Sequence, residues 1–357
     1  MQVESAAKIE VAVHSAPDLA EDNYAPRWIE TLESLGAKVR VCDFRARDII
    51  DQVRGVDGAM WHYYHTPRER QSAPMVLGAM ETGLGIPIFP NLATRWHYDE
   101  KISQHYLFES AGVPAVKTWI FWDQEAAARF IETCNYPVIF KLSVGAGASN
   151  VLKIESRQAA RDLVARMFHR GLQPSTLNEF APKRLPRSGP GVRAWLRRGT
   201  DAVRYALSGE LPPVHHHHIQ KHYIYFQEFL PDNPSDIRIT VIGDRAFGFR
   251  RQNRPGDFRA SGSGIIDWDP EQIPEKALQI AHTLSRDCGF QSMAYDFLVD
   301  SVGEIRVSEI SYCFVNQAVF KCPGHWDRDL VWHSGQIWPE HAQAEDFLCK
   351  VRGMQGA

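Results

Sequence analysis

Lys141 lies near the end of a short apolar run, Pro137 to Leu142 (PVIFKL), and the segment after it is nearly free of bulk: Ser143 to Asn150 reads SVGAGASN. Unpaired backbone N–H groups in such a loop make a cradle for an anion, and Gly145 and Gly147 would let the backbone approach a phosphate closely. Many hairpin loops are rich in glycine, so the loop gains its weight from Lys141, on the strand that leads into it. A second group is acidic. Asp296 (AYDFLV) and Glu309 (VSEIS) stand inside otherwise apolar runs, where a carboxylate is costly unless paired or bound to a cation. Two carboxylates from adjacent strands can share one hard ion, and Mg2+ accepts one or two carboxylates plus substrate phosphates. The alternative is two side chains facing solvent at a sheet edge. A third group is basic: Arg250, Arg251, Arg254 and Arg259 follow closely on Asp236 and Arg238. Alternate residues of a strand share a face, so Asp236 and Arg238 point together. Arginines beside a metal-binding pair suit phosphoryl transfer, because charge spreads over the transferred oxygens. A solvated strand would carry such charges as well.

The elements that must position these residues are readable from pattern. Lys8–His14, Lys38–Asp43, Gly58–His62 and Pro87–Phe89 read as strands, with helices over Ala25–Leu35 and Met75–Thr82 between them. Strands alternating with helices at this spacing predict βαβ units and a parallel sheet. A helix over Asp99–Ala111 ends at Gly112, and Lys117–Trp122, Pro137–Leu142 and Val151–Ile154 are strands around a helix at Gln124–Thr133. Arg157–His169 is a further helix. The third segment carries strands at Ile224–Phe229, Asp236–Ile242 and Arg245–Arg251, a helix at Pro274–Cys288, and a last hairpin of Met293–Val299 with Glu304–Ile310. From Cys313 onward the chain is rich in Trp and His without a clear period.

Composition narrows the classes. Of 357 residues, 44% are apolar and 23% charged, which is globular and enough for two or three domains. Lys plus Arg (40) nearly balances Asp plus Glu (43), for a net charge of -3, so no global basic field for nucleic acid exists. No apolar run reaches the ~20 residues of a spanning helix, and Met1–Glu10 lacks the features of a signal peptide. A cytoplasmic chain without membrane or nucleic-acid partners is expected. The six scattered cysteines read as buried thiols, and the run His215–His218 reads as a solvated loop. No GxGxxG comes after the first strand, so dinucleotide binding has no support.

Five ordered stretches together carry a resemblance: DEKISQHYLFESAGVP, PVIFKLSVGAGASNV, YFQEFLPDNPSDIRITVIGDRAFGFRR, GDFRASGSG, and AYDFLVD with EIRVSEIS. From about Pro90 to Asn316 the chain resembles the ATP-grasp carboxylate–amine ligases, in the branch of the ribosomal-protein glutamate ligase and the glutathione synthetases. The resemblance implies an α/β (α+β) fold: two α+β lobes gripping ATP, preceded by a Rossmann-like parallel domain. The implied organisation is 1–90 for the leading domain, 91–222 for the first lobe with a variable insertion from about 170, 223–316 for the second lobe, and 317–357 for a tail packed on the core. It implies ATP, with Mg2+ or alternatively Mn2+. Lys101 and Lys141 match the phosphate-holding lysines, and Gly145, Gly147 and Ser149 match the phosphate lid. Gln227, Glu228, Phe229 and Leu230 match the adenine-binding linker, and Asp236 the ribose–phosphate side. Arg251, Arg259 and Ser261 match the segment at the γ-phosphate, with Arg238 beside them. Asp296 and Glu309 match metal ligands. Where the family has Asn after the second of these, this chain has Ser311, which leaves the third metal ligand to Ser311, Asn316 or water.

The activity so implied activates a substrate carboxylate as an acyl phosphate, which an amine then converts to an amide with release of phosphate. A kinase acting on a hydroxyl and a nucleotide-binding module without turnover are the rival readings. The partners expected are a small-molecule carboxylate and amine, with self-association left open. His62, Tyr63 and His65 come after the third strand, where ligands of open α/β sheets usually sit, and are the candidates for substrate contact. Cys322, His325, Trp332 and His333 fit no common zinc spacing and are expected to pack the tail.

Overall fold

A computed structural model describes residues 8–15, 23–145, 150–174, 218–260 and 263–355. The chain divides into two units, one of Met1–Tyr98, Tyr106–Ala115 and Asp232–Ala357, the other of Asp99–His105 and Val116–Pro231.

The first unit opens with a parallel sheet of β1 (Glu10–His14), β2 (Lys38–Cys42), β3 (Gly58–Met60) and β4 (Ile88–Phe89), in the order β2-β1-β3-β4. Helix α1 (Ala25–Ser34) buries Trp28 and Leu32. Helix α2 starts at Pro67 rather than near Met75 and runs to Gly78. Its charged first turn (PRER) hides the start from an apolar-period reading. The start is fixed instead by the Thr66 N-cap: the Glu69 N–H donates to Thr66 Oγ1, while Glu69 Oε2 accepts from Thr66 Oγ1 and the Tyr64 N–H.

The second unit is built on an antiparallel sheet of β5 (Thr118–Phe121), β6 (Val138–Lys141), β7 (Val151–Ile154) and β8 (Ile224–Glu228), ordered β5-β8-β6-β7. Helix α3 (Lys101–Ser110) begins in this unit and ends in the first. Helices α4 (Gln124–Thr133) and α5 (Arg157–His169) are capped by Asp123 and Ser156 and bury Ile131, Leu163 and Met167 with Phe140 and Phe226 of the sheet.

The rest of the first unit is a seven-stranded sheet of β9 (Ser235–Ile242), β10 (Arg245–Gln252), β11 (Ile266–Asp267), β12 (Ser292–Val299), β13 (Ile305–Ser311), β14 (Gly324–Trp326) and β15 (Trp332–Ser334). The order is β13-β12-β9-β10-β14-β15, with β11 also on β10. Helix α6 (Glu275–Cys288) packs Leu278, Ala281 and Leu284 into one core with Ile237, Ile239, Tyr295 and Phe297. Its last carbonyls are closed by Gly289, at φ +68°.

The tail is more regular than its sequence suggests. Besides the β14–β15 hairpin it forms the helix α7 (Pro339–Gln355), packed against α1. The buried face of α7 mixes Ala342, Ala344, Phe347 and Leu348 with Glu340 and Gln343, and buried polar residues erase the apolar period. Gly58 lies beneath this helix, where a Cβ would stand 2.8 Å from Phe347 Cζ and force the ring to shift. Of the cysteines, Cys42 and Cys322 are buried, Cys349 is exposed, and the others are half-buried thiols.

Candidate functional site

In the first unit, strand register lines up the charged residues. Arg251 on β10 lies opposite Asp236 on β9; Arg238, two residues on, lies opposite Asp296 on β12; and Asp296 lies opposite Glu309 on β13. Residues 236 and 238 share a face, so the pairs form one row, while Ile237 and Ile239 point the other way into the core under α6. The apolar runs around Asp236 and Asp296 are therefore strands with one face on the core and one on the row.

The row is a chain of alternating charge. Arg251 grips Asp236 with both arms, Nε to Oδ1 at 2.8 Å and Nη2 to Oδ2 at 2.5 Å. Arg238 grips Asp296 in the same way, at 2.7 and 2.8 Å. Arg251 Nη2 also reaches Asp296 Oδ2 at 2.8 Å, linking the two pairs. Bidentate guanidinium–carboxylate pairs fix orientation as well as distance. Burial opposes ionisation at both carboxyls. At Asp296 the guanidiniums of Arg238 and Arg251 outweigh it and hold the carboxyl well below the usual range. At Asp236 burial wins over the pull of Arg251, and the carboxyl is pushed up.

The carboxylates fit a hard cation; the serine does not. A carboxylate offers about four lone-pair sites. Asp296 Oδ1 accepts one bond and Oδ2 two, which leaves room on Oδ1, with half-buried Glu309 directly across. Ser311 departs from expectation, since its hydroxyl donates to the Cys313 carbonyl at 2.8 Å and accepts from the Cys313 N–H at 3.2 Å. Asn316 is likewise engaged, donating to Glu340 Oε1 at 2.5 Å and accepting from the Gln317 N–H at 2.7 Å. Among the described residues no group of three His, Cys, Asp or Glu side chains is placed to hold a metal. A cation here would rest on two carboxylates and on the oxygens of its ligand. Arg259 is held by Asp257 in its own loop, at 2.9 Å through both Nε and Nη2.

The second unit carries the lysines and the loop entrance. Lys101 is the first residue of α3; its N–H donates to the Ser143 carbonyl at 2.8 Å and its Nζ to the Gly145 carbonyl at 2.7 Å. Asp99 Oδ1 accepts from the Gly145 N–H at 2.8 Å, and Asn150 Nδ2 donates to the Val144 carbonyl at 2.7 Å. Gly145 sits at φ +111°, and a Cβ there would fall 1.9 Å from Asn150 Nδ2, so only glycine fits. Sequence reasoning misses Asp99, although its place two residues before Lys101 is a usable signal. Lys141 ends β6, buried. Gln227 is buried and donates to Thr118 Oγ1 at 3.1 Å, Glu228 is exposed, Leu230 is half-buried, and Lys153 Nζ lies 4.4 Å from the Phe229 ring centroid. Gly147, Ser149 and Ser261, and all of the histidine run but His218, lie outside the described residues.

The substrate candidates divide. His62 and Tyr63 are core residues, 6% and 1% exposed, and His65 alone lies at the surface. The end of β3 is roofed by aromatic rings: Tyr24 stacks on His62 at 3.8 Å, and Tyr312 packs on Tyr63 at 5.3 Å. Burial pushes the His62 imidazole down to about 3, so it is neutral. In the tail, Cys322 Sγ points at the Gly248 carbonyl, His325 stacks on His333, and His333 bonds Asp327.

A parallel sheet leading into two antiparallel sheets is the ATP-grasp fold, as the sequence resemblance implied. The chain is similar over 95% of its length to a RimK domain ATP-grasp protein from Sphaerobacter thermophilus, with 99% of that chain covered, a TM-score of 0.52 and 14% identity. It is similar to the macrocyclase MdnC of Microcystis aeruginosa, bound with the precursor peptide MdnA, over 96% of this chain and 100% of that one, at TM-score 0.56 and 13% identity. The ADP complex of PurK, an N5-carboxyaminoimidazole ribonucleotide synthetase, matches 92% of this chain and 79% of that one, at TM-score 0.55 and 11% identity. No family model matches the sequence.

Proposed function

We propose that this chain is an ATP-dependent ligase that activates a carboxylate as an acyl phosphate and joins it to an amine, releasing ADP and phosphate. The observation that carries the reading is the Asp236–Arg251–Asp296–Arg238 row with Glu309 at its end, set in an ATP-grasp fold. Solved neighbours include an ADP complex and a complex with a precursor peptide, which supports a nucleotide and leaves the acceptor open between small molecules and peptides.

In this reading Lys101, Lys141 and the backbone from Gly145 hold the nucleotide phosphates, and the segment Gln227–Leu230 receives the adenine. Arg238, Arg251 and Arg259 stabilise charge on the transferred phosphoryl group, which needs positioning more than covalent help. Asp296 and Glu309 are the residues that would hold Mg2+ or Mn2+, which when bound neutralises phosphate oxygens. The amine attacks the acyl carbon and displaces phosphate productively only if water is kept away, a task for the glycine-rich loop.

The test is product identity with Mg2+-ATP and pooled carboxylates and amines, using Lys141→Ala as control. ADP and phosphate that appear only with both pools support the ligase. ADP with a stable phosphorylated compound and no amine requirement points to a kinase, and AMP with pyrophosphate rejects the acyl phosphate. ATP binding without turnover in any pool marks a binding module.

A further inference from the structure

The sequence resemblance sets Asp236 on the ribose–phosphate side of the nucleotide, and in the structure its carboxylate is engaged by Arg251. Each of its carboxylate oxygens accepts an arm of Arg251, at 2.8 and 2.5 Å, and the side chain is buried. Arg251 is buried as well, and its Nη2 also touches Asp296. Among the described residues, the carboxylate contacts of Arg251 and Arg238 run through Nε and Nη2. Nη1 of both stays clear of these clamps and is not a buried orphan. Each guanidinium is therefore held along one edge and presents another.

We infer that Asp236 is a positioning residue: it makes no contact with the nucleotide, and fixes the Arg251 guanidinium so that its Nη1 edge meets the transferred phosphoryl group. This rests on the ligase reading. The physical need is plain. A free arginine side chain samples many rotamers, whereas catalysis by charge requires a donor already aimed when charge develops. A bidentate carboxylate removes that freedom, and a buried guanidinium left without it would be costly. The two acids of the row then differ in task. Asp296 is shared between arginines and has room on Oδ1 for a cation, while among the described residues the ion pair of Asp236 is with Arg251.

The experiment uses the full chain with Mg2+-ATP, comparing Asp236→Asn, Arg251→Lys and the double variant. Equilibrium ATP affinity is measured beside the rate of ADP formation with the active substrate pools. The inference expects Asp236→Asn to leave ATP affinity within about twofold and to slow ADP formation on the order of 100-fold, the usual effect of losing one preorganised donor. In the Arg251→Lys background the same change should cost less than about twofold, since a positioning residue has nothing left to position. Should Asp236→Asn fail to fold, Asp236→Glu carries the comparison, because it keeps the charge and the fork and should restore much of the rate relative to Asp236→Ala. A large loss of ATP affinity with the rate intact would make Asp236 a nucleotide contact and overturn the inference. So would additive losses in the double variant. An unsubstituted chain that forms no ADP with any pool sinks the ligase reading and this role with it, whereas the first two outcomes sink the role alone.

Discussion

The Tyr312 hydroxyl donates to the Tyr63 carbonyl at 2.5 Å, although the two residues are 249 positions apart. Tyr312 is the residue after β13, one step past Ser311, and Tyr63 lies just beyond β3 of the parallel sheet. A similar bond ties Tyr24 Oη to the Phe314 carbonyl at 2.7 Å. The exit of the strand that carries Glu309 is thus fastened to the carboxyl end of the parallel sheet. Tyr312→Phe keeps the packing and leaves a buried carbonyl without its partner, so it should lower stability by about 1–3 kcal/mol in urea or thermal unfolding. An unchanged midpoint would show that the bond contributes nothing.

Gly145→Ala puts a Cβ into Asn150 and demands a strained backbone at φ +111°. Backbone strain of this kind costs of order 1–3 kcal/mol, and here it falls on the loop braced by Asp99 and Lys101. ATP affinity should drop at least about tenfold with the far-ultraviolet dichroism unchanged. Asp99→Asn should have a weaker effect in the same assay.

The metal assignment separates two substitutions. Glu309→Gln should raise the Mg2+ concentration needed for ATP-dependent turnover, because it removes one of two carboxylates. Ser311→Ala should leave that requirement where it is, since the hydroxyl is occupied on both sides by Cys313. A Mg2+ titration of each variant decides, and a shifted requirement in Ser311→Ala would return that serine to the ligand set.

Glu340 is fully buried, and burial pushes its carboxyl up despite the Asn316 amide and the Arg27 guanidinium at 3.4 Å. A carboxyl whose folded pKa exceeds its unfolded one favours the fold most when protonated, and that contribution fades as pH rises through the folded value. Glu340→Gln should accordingly raise the melting temperature at mildly alkaline pH and leave it nearly unchanged in acid. A gain that grows toward low pH would reverse the assignment.

Local pattern exposed much of this fold. The helices at Gln124–Thr133 and Arg157–His169 and the strand at Val151–Ile154 have the bounds expected from their sequence pattern. The shared face of Asp236 and Arg238 follows from strand alternation alone. Pattern could not supply partnership at long range. Nothing near Asp236 announces that Arg251 takes both of its oxygens, since that depends on the register of β9 with β10. His62 looks like a ligand in sequence and is a core ring because Tyr24 arrives from another element to cover it. Helix α7 has no visible period because its inner face satisfies Glu340 and Gln343 through Asn316, Trp28 and Ser292, and buried polar residues read as surface.

The charged row has a consequence for how a ligand arrives. Asp236, Arg251, Asp296 and Arg238 sum to zero over a few ångströms, so their fields cancel beyond about one Debye length, ~8–10 Å at ordinary ionic strength. An approaching anion would feel little pull from these arginines until it is nearly in contact with them. The row discriminates by touch rather than by attraction from afar, and its contribution to association should be almost insensitive to salt.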